Sequence, residues 1–321
     1  MSDRATSRLR GIYQAHVTAN DRICPEHYRL RLVLSQFPPS APGQFVNIRC
    51  ARAGAPAPAE LPWPRAGLPR PGQPELLRRE PLLRRPFSLA GRRDRADGAI
   101  ELEIVHRVVG PGTDFLAALE TGAVVEVLGP LGRGFSVLPA RPRAALVGGG
   151  VGIAPLLYLA GALRDADKRI VAFAGARSAR LLPLRLNTEE PPARQPRPNM
   201  CAQEFAARGA AAVIATDDGS AGVAGLVHEA FQQWLQRTEQ PAEALAVYAC
   251  GPEAMLRALA DICTTAGIPC QLALERHMAC GMGTCQGCAV KVKADTPAGW
   301  AFRLACKDGP VFDADELVWE S

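Results

Sequence analysis

Short stretches of alternating apolar and polar residues occupy the first third of the chain. Residues 28–34 and 44–48 alternate in this way and are separated by Pro-Pro and Pro-Gly pairs, which favour turns. The alternation returns at 100–105 and 124–128. A period of two is typical of strands that bury one face, so this part of the chain predicts a small antiparallel β-barrel.

A segment of different composition interrupts the barrel pattern. Residues 51–83 are dominated by Ala, Pro, Arg and Gly and show no periodicity. Long segments of this kind are typical of exposed loops, so we expect a Pro-rich insertion in the barrel.

Beyond residue 140, apolar strands alternate with helices. The expected strands cover 144–147, 170–174, 211–215 and 244–249, and the expected helices cover 154–163, 226–235 and 253–266. This alternation favours a parallel sheet with helices on both faces. The remainder is rich in Cys and Gly and too small to bury a core of its own. A chain of 321 residues therefore predicts three domains: a barrel at 1–139, an α/β domain at 140–268 and a Cys-rich domain at 269–321.

Composition narrows the class of protein. The apolar share is 48%, as in globular proteins, and the net charge of +5 comes with no nucleic-acid-binding motif. No apolar run approaches the roughly 18 residues needed to span a bilayer, and the N-terminus lacks the apolar stretch of a signal peptide. We therefore expect a cytoplasmic protein that binds neither membrane nor nucleic acid.

Four of the ten cysteines are crowded near the end of the chain. They follow the pattern Cys280-x4-Cys285-x2-Cys288-x17-Cys306. In a reducing compartment such crowding indicates a metal centre rather than disulfides. An x4 spacing followed by x2 is typical of the plant-type [2Fe–2S] ferredoxin arrangement, whereas zinc sites usually pair two C-x2-C segments. A [2Fe–2S] cluster is the preferred interpretation, and a zinc site or free thiols are the alternatives.

Two glycine-containing turns follow expected strands of the α/β domain. Gly149, Gly150 and Gly152 lie in the first turn, which opens a helix and could admit a dinucleotide pyrophosphate at the helix N-terminus. Their spacing differs from the G-x-G-x-x-G fingerprint. The second turn, Cys250-Gly251-Pro252, ends a strand where open α/β sheets bind ligands. Each turn alone is also compatible with a plain connection.

Two segments of the barrel carry groups suited to a flavin nucleotide. The run 84–88, Arg-Arg-Pro-Phe-Ser, offers a guanidinium for a pyrophosphate and the Ser88 hydroxyl for a ring nitrogen. The run 110–113, Gly-Pro-Gly-Thr, offers backbone N–H groups and a hydroxyl for phosphate oxygens. Each run alone is also compatible with an ordinary loop.

The order of these motifs resembles that of the ferredoxin reductase superfamily with a C-terminal [2Fe–2S] module. More narrowly, it is similar to the electron-transfer subunits of B-type dihydroorotate dehydrogenases. The similar segments are 81–88, 129–135, 148–155, 216–220, 250–252, 275–288 and 306–312. The ending Cys-Lys-Asp-Gly-Pro-Val-Phe at 306–312 is the most specific of them.

The resemblance implies a cofactor for each domain: FAD at 1–139, NAD at 140–268 and a [2Fe–2S] cluster at 269–321. The residues implied to contact FAD are Arg85, Pro86, Phe87, Ser88, Val105, His106, Arg107, Gly112 and Thr113. The candidates for NAD are Gly149, Gly150, Gly152, Cys250, Gly251 and Pro252. The implied cluster ligands are Cys280, Cys285, Cys288 and Cys306.

The resemblance also implies a function and a partner. Electrons from an FMN-containing dihydroorotate dehydrogenase catalytic subunit, joined to this chain in a heterotetramer, would pass through the cluster and FAD to NAD⁺ in pyrimidine biosynthesis. No side-chain nucleophile is expected. The alternatives are a reductase subunit of a hydrogenase, sulphide dehydrogenase or transhydrogenase-like complex, and a zinc-holding nucleotide-binding scaffold. Arg177 and Arg180, which follow the second α/β strand, leave NADP open beside NAD.

Overall fold

The computed structural model describes residues 10–51, 83–238 and 242–319. The Pro-rich insertion expected at 51–83 therefore lies outside the described residues, except at its two ends. Of the helices in the described ranges, none is long and apolar enough to cross a membrane.

The first seven strands form one curled antiparallel sheet, as the alternating pattern predicts. They are β1 (Gly11–Cys24), β2 (His27–Leu34), β3 (Phe45–Ile48), β4 (Arg85–Ser88), β5 (Gly91–Asp94), β6 (Ile100–Arg107) and β7 (Val124–Leu131). Their spatial order is β4-β3-β7-β1-β2-β6-β5. Alternate residues of β2 and β6, including Leu30, Leu32, Leu102 and Ile104, are fully buried in the core of this sheet. The short helix α1 (Pro111–Ala117) connects β6 to β7.

A second sheet follows, with helices packed against it. Its elements are β8 (Arg143–Gly149), α2 (Ile153–Asp165), β9 (Arg169–Ala176), α3 (Gln203–Ala206), β10 (Ala211–Thr216), β11 (Val223–Ala224), α4 (Val227–Arg237), β12 (Leu245–Cys250), α5 (Glu253–Ala266) and β13 (Cys270–Ala273). The pairs from β11 through β10, β9, β8 and β12 to β13 are all parallel. Because the chain runs outward from β8 to β9 on one side and returns to β12 on the other, the order of strands reverses between β8 and β12.

The cysteine-rich segment is held at both ends by the second sheet. Its hairpin consists of β14 (Ala289–Lys293) and β15 (Trp300–Leu304), and β16 (Val311–Asp313) then pairs antiparallel with β13. The expected boundary at 268/269 assigned β13 and β16 to the Cys-rich domain, but both belong to the α/β sheet. They are short, and their pairing joins segments distant in sequence, which local patterns do not reveal.

Candidate functional site

The four cysteines of the spacing motif converge at the cysteine-rich segment. Cys280, Cys285 and Cys288 lie on the loop before β14, and Cys306 follows β15. Their side chains form two contacting pairs, Cys280 with Cys285 and Cys288 with Cys306. Within the described ranges no three His, Cys, Asp or Glu side chains are arranged to hold a single metal ion. Two pairs of thiols match the donors that a cluster with two irons requires.

The local environment prepares the cysteines for iron in different ways. Partial burial opposes ionisation of Cys280, but the backbone N–H groups of Cys285 and Met282 donate to its Sγ at 3.4 and 3.5 Å. The donors prevail and lower the pKa of Cys280 to about 6. Burial and the contact with Cys288 raise the pKa of Cys306 to about 12. Because thiolates bind iron, Cys306 would release its proton only as the metal binds.

The cluster loop is docked directly on the antiparallel sheet. Asn47 of β3 is 1% exposed, and its Nδ2 donates to the backbone oxygen of Cys280 at 3.2 Å. Gly281 lies against the same amide: its φ is +70°, and a Cβ there would overlap Asn47 Nδ2. Asn47 pairs with Pro86 of β4, the strand expected to bind the flavin. The cluster loop and the flavin strand are therefore separated by a single strand.

The flavin strand β4 lies at one edge of its sheet. Arg85 packs beneath the start of α1, where a Cβ on Gly112 would approach Arg85 Cγ to 2.9 Å. Arg85 Nη1 donates to the Leu83 carbonyl at 2.8 Å. Phe87 is buried, and Ser88 pairs with Phe45 of β3. The close approach that only glycine permits places the expected phosphate loop beside the expected phosphate-binding arginine.

The Thr113 hydroxyl is engaged within its own turn. It accepts from the N–H groups of Val109 and Gly110 at 2.8 and 3.1 Å and donates to the Gly110 carbonyl at 2.9 Å. Its direct role is to fix the shape of the turn, which would present backbone groups to a phosphate.

His106, near the end of β6, is a buried polar residue whose ring nitrogens have no hydrogen-bond partner within the described ranges. It is 2% exposed, and neither ring nitrogen has a hydrogen-bond partner among the described residues. The ring stacks on Tyr28 with centroids 5.7 Å apart and meets Phe87 edge-on at 6.0 Å. Burial, followed by the nearby His27, lowers the pKa of His106 to about 4. A buried neutral imidazole without partners fits a site that is completed by a polar aromatic ligand such as a flavin.

The residues on either side of His106 have different surroundings. Val105 is 5% exposed and belongs to an apolar cluster with Ala90 and Ala154, against which Val151 of the glycine turn packs. Arg107 instead forms a forked ion pair with Glu26 at 2.9 and 2.8 Å. The structure thus places Val105 where the two sheets meet and Arg107 at the surface.

The two glycine-containing turns of the second sheet meet. The paired strands β8 and β12 end together, with Gly148 opposite Cys250. A Cβ on Gly152 would overlap the Cys250 carbonyl, and one on Gly149 would approach Pro252 Cδ to 2.9 Å. This is the point where the strand order reverses, at the carboxyl ends of the strands, where open α/β sheets bind nucleotides.

Gly150 and Cys250 differ in what they could offer a bound nucleotide. Gly150 has φ +54° and no atom within 4 Å of an added Cβ, so its backbone faces open space. Burial, with Glu275 nearby, raises the pKa of the Cys250 thiol to about 12. Cys250 is therefore a neutral thiol at physiological pH, suited to contact rather than to nucleophilic attack.

Sequence analysis missed two residues of this site, Asn47 and Tyr28. Asn47 is a polar residue within the apolar run of β3, and such a residue in a buried strand generally has a dedicated partner. That signal was available in the sequence, whereas the identity of the partner, the Cys280 carbonyl, was not. Tyr28 faces His106 across the β2–β6 pair.

Fold and site together define an oxidoreductase of the ferredoxin reductase type with an added iron–sulphur module. A model of the iron–sulfur cluster binding domain of dihydroorotate dehydrogenase B matches residues 275–318, and a model of the oxidoreductase NAD-binding domain matches residues 146–261. The solved structure of an NADH-dependent reduced ferredoxin-NADP oxidoreductase aligns with a TM-score of 0.68 and 25% identity, over 95% of this chain and 90% of that one. The match to the iron–sulfur cluster binding domain favours an iron–sulphur centre over zinc.

Two curated relatives identify the family more narrowly. The electron transfer subunit of dihydroorotate dehydrogenase B (NAD(+)) from Caldanaerobacter subterraneus is 32% identical over 311 residues, covering 97% of this chain and 100% of the relative. Its counterpart from Bacillus caldolyticus is 36% identical over 279 residues, covering 86% of each. The chain belongs to the family of dihydroorotate dehydrogenase B electron-transfer subunits. The expected cofactors, FAD, a [2Fe–2S] cluster and NAD, are confirmed at the level of the family.

Proposed function

We propose that this chain receives electrons from an FMN-containing dihydroorotate dehydrogenase subunit and delivers them through a [2Fe–2S] cluster and FAD to NAD⁺. The observation that most directly supports this proposal is the hydrogen bond from Asn47 to the Cys280 carbonyl, because it holds the cluster loop one strand away from the flavin strand. The relatives are electron transfer subunits of dihydroorotate dehydrogenase B (NAD(+)), which supports dihydroorotate as the source of electrons and NAD⁺ as the acceptor.

Each cofactor is assigned to residues of this chain. Cys280, Cys285, Cys288 and Cys306 would hold the cluster, which moves single electrons. FAD converts single electrons into a pair. It would be held by Arg85, Pro86, Phe87, Ser88, Val105, His106, Gly112 and Thr113. Arg107 would act at the edge of this site through its ion pair with Glu26. NAD⁺, which accepts a hydride, would lie on Gly149, Gly150, Gly152, Cys250, Gly251 and Pro252. The protein contributes binding, orientation and the exclusion of water.

The domain limits and the assembly are part of the same proposal. FAD binding is assigned to 1–139, NAD binding to 140–268 with β13 and β16 added, and the cluster to the loop and hairpin between those two strands. None of the ten cysteines, all of which lie within the described residues, forms a disulfide, which suits a cytoplasmic location, because free thiols persist best in a reducing compartment. The resemblance to the family also supports the proposal that the chain forms a heterotetramer with the catalytic subunit.

Co-expression with a dihydroorotate dehydrogenase catalytic subunit tests the function. The two chains should purify together, and anaerobic dihydroorotate should bleach the flavin and cluster bands of the complex but leave the isolated chain unchanged. Added NAD⁺, rather than NADP⁺, should then restore the colour. If the chain binds its cofactors and is reduced by NADH but neither binds the catalytic subunit nor accepts its electrons, a different redox complex is its partner.

A further inference from the structure

A buried ion pair joins the two sheets of the protein. Arg29 of β2 and Glu204 of α3 are 6% and 8% exposed, and Arg29 Nη2 lies 2.8 Å from Glu204 Oε1. Arg29 belongs to the antiparallel sheet, and Glu204 belongs to a helix that packs on β10 of the parallel sheet. Arg and Glu side chains are rarely buried to this extent unless they are paired, and this pair joins two residues 175 positions apart.

Both partners are fixed from their own side. The second oxygen of Glu204 accepts from the Arg185 N–H at 2.9 Å. Arg29 Nε lies 3.8 Å from Glu103 on the neighbouring strand β6. Arg208 donates to the Glu204 carbonyl at 2.7 Å. Separating the pair would leave Arg29 with only the longer contact to Glu103, and this cost makes the pair a geometric restraint rather than a source of net stability.

The position of the pair connects it to the cofactors. Arg29 is the direct partner of Val105 across the β2–β6 ladder. Directly opposed residues in an antiparallel pair share one face, so Arg29 stands beside Val105. Val105 in turn packs with Ala154 at the start of α2, immediately after the glycine turn. The ion pair therefore lies next to the place where the flavin sheet meets the nucleotide turn.

We propose that Arg29 and Glu204 are positioning residues: they clamp the two sheets together and fix the separation between the FAD and NAD sites. This inference rests on the proposed function. Hydride transfer moves two electrons and one proton from NADH to oxidised FAD, leaving NAD⁺ and reduced flavin, and its rate falls steeply when donor and acceptor are misplaced by about 1 Å. The clamp would govern that step without touching either cofactor.

Two charge-removing substitutions, a charge-retaining one and a control, all in the intact, cofactor-loaded chain, test the clamp. Glu204→Gln removes the charge but keeps an amide oxygen for the Arg185 N–H, and Arg29→Gln removes the opposite charge. Glu101→Gln is the matched control, because Glu101 lies on β6 but pairs with the exposed Arg93 of the same sheet. FAD and iron content are measured first, followed by anaerobic stopped-flow bleaching of the flavin by NADH and hydrogen–deuterium exchange at 203–208.

We expect both clamp variants to keep FAD and iron, to bleach about tenfold more slowly per bound flavin and to exchange faster at 203–208, with the control unchanged. Arg29→Lys, which retains the charge, should recover most of the rate. Normal bleaching in both clamp variants overturns the clamp, and so does slower bleaching without faster exchange. If Glu204→Gln and Arg29→Gln lose FAD or do not fold, the Arg29→Lys variant provides the test. An Arg29→Lys protein that keeps FAD and iron but bleaches slowly would contradict the role of charge. A wild-type chain that NADH does not bleach refutes the proposed function instead.

Discussion

Replacing Gly281 by alanine should loosen the cluster loop from the flavin sheet. Gly281 has φ +70°, and an added Cβ would overlap the side-chain amide of Asn47. The left-handed backbone alone should cost alanine about 1 kcal/mol. Losing the hydrogen bond from Asn47 to the Cys280 carbonyl, with Asn47 left buried, adds about 1–3 kcal/mol. The expected total is therefore about 2–4 kcal/mol.

A matched glycine isolates the contribution of Asn47. Gly299 has φ +74° but no atom within 4 Å of an added Cβ, so Gly299→Ala carries the backbone cost alone. In a urea titration followed by cluster absorbance, Gly281→Ala should lower the free energy of cluster release by at least about 1 kcal/mol more than Gly299→Ala. Asn47→Ala in the Gly281→Ala background makes room for the methyl group and should recover part of the loss. Equal effects of the two glycine substitutions would refute the docking contact.

Three further predictions concern the three cofactor sites. Cys306→Ala, which leaves no donor atom for iron, should lose most of its iron and visible cluster absorbance; an iron assay showing two irons per chain would exclude Cys306 as a ligand. His106→Phe should flatten the pH dependence of stability in the cofactor-free chain. Burial lowers the pKa of His106 from 6.5 to about 4, so as the pH falls the unfolded chain takes up the proton before the folded chain does. The free energy of unfolding therefore falls by up to about 3 kcal/mol between these two pH values when His106 is present. Urea titrations at pH 7 and pH 5 measure this, and an unaltered slope would contradict it. Gly152→Ala, whose methyl would meet the Cys250 carbonyl, should weaken NADH binding at least tenfold while FAD content is unchanged, and equal NADH dissociation constants would argue against a nucleotide site between these turns.

Local signals in the sequence were enough to predict the elements that depend on their own residues. Helix α5 begins at Glu253 and ends at Ala266, as predicted, because Pro252 precedes it and Gly267 ends it in the left-handed conformation. The predicted cluster cysteines also meet, because three of them share one short loop. The spacing therefore predicted which four thiols the fold brings together, as two contacting pairs.

Contacts between distant segments could not be predicted in this way. β13 and β16 have only four and three residues, and their pairing appears only after the chain has folded. The ion pair of Arg29 with Glu204 links residues that no local periodicity relates. β1 has irregular pairing after Val17 and Arg22, and these register shifts obscure its alternation over 14 residues.

In the proposed relay, electrons pass between NAD(H) and the cluster by way of the flavin. Anaerobic rapid mixing of the cofactor-loaded chain with NADH, followed at separate flavin and cluster wavelengths, tests it most directly. The flavin band should bleach first, and the cluster band should follow. Cluster reduction that precedes flavin reduction, or a flavin band that NADH leaves unchanged, would contradict it.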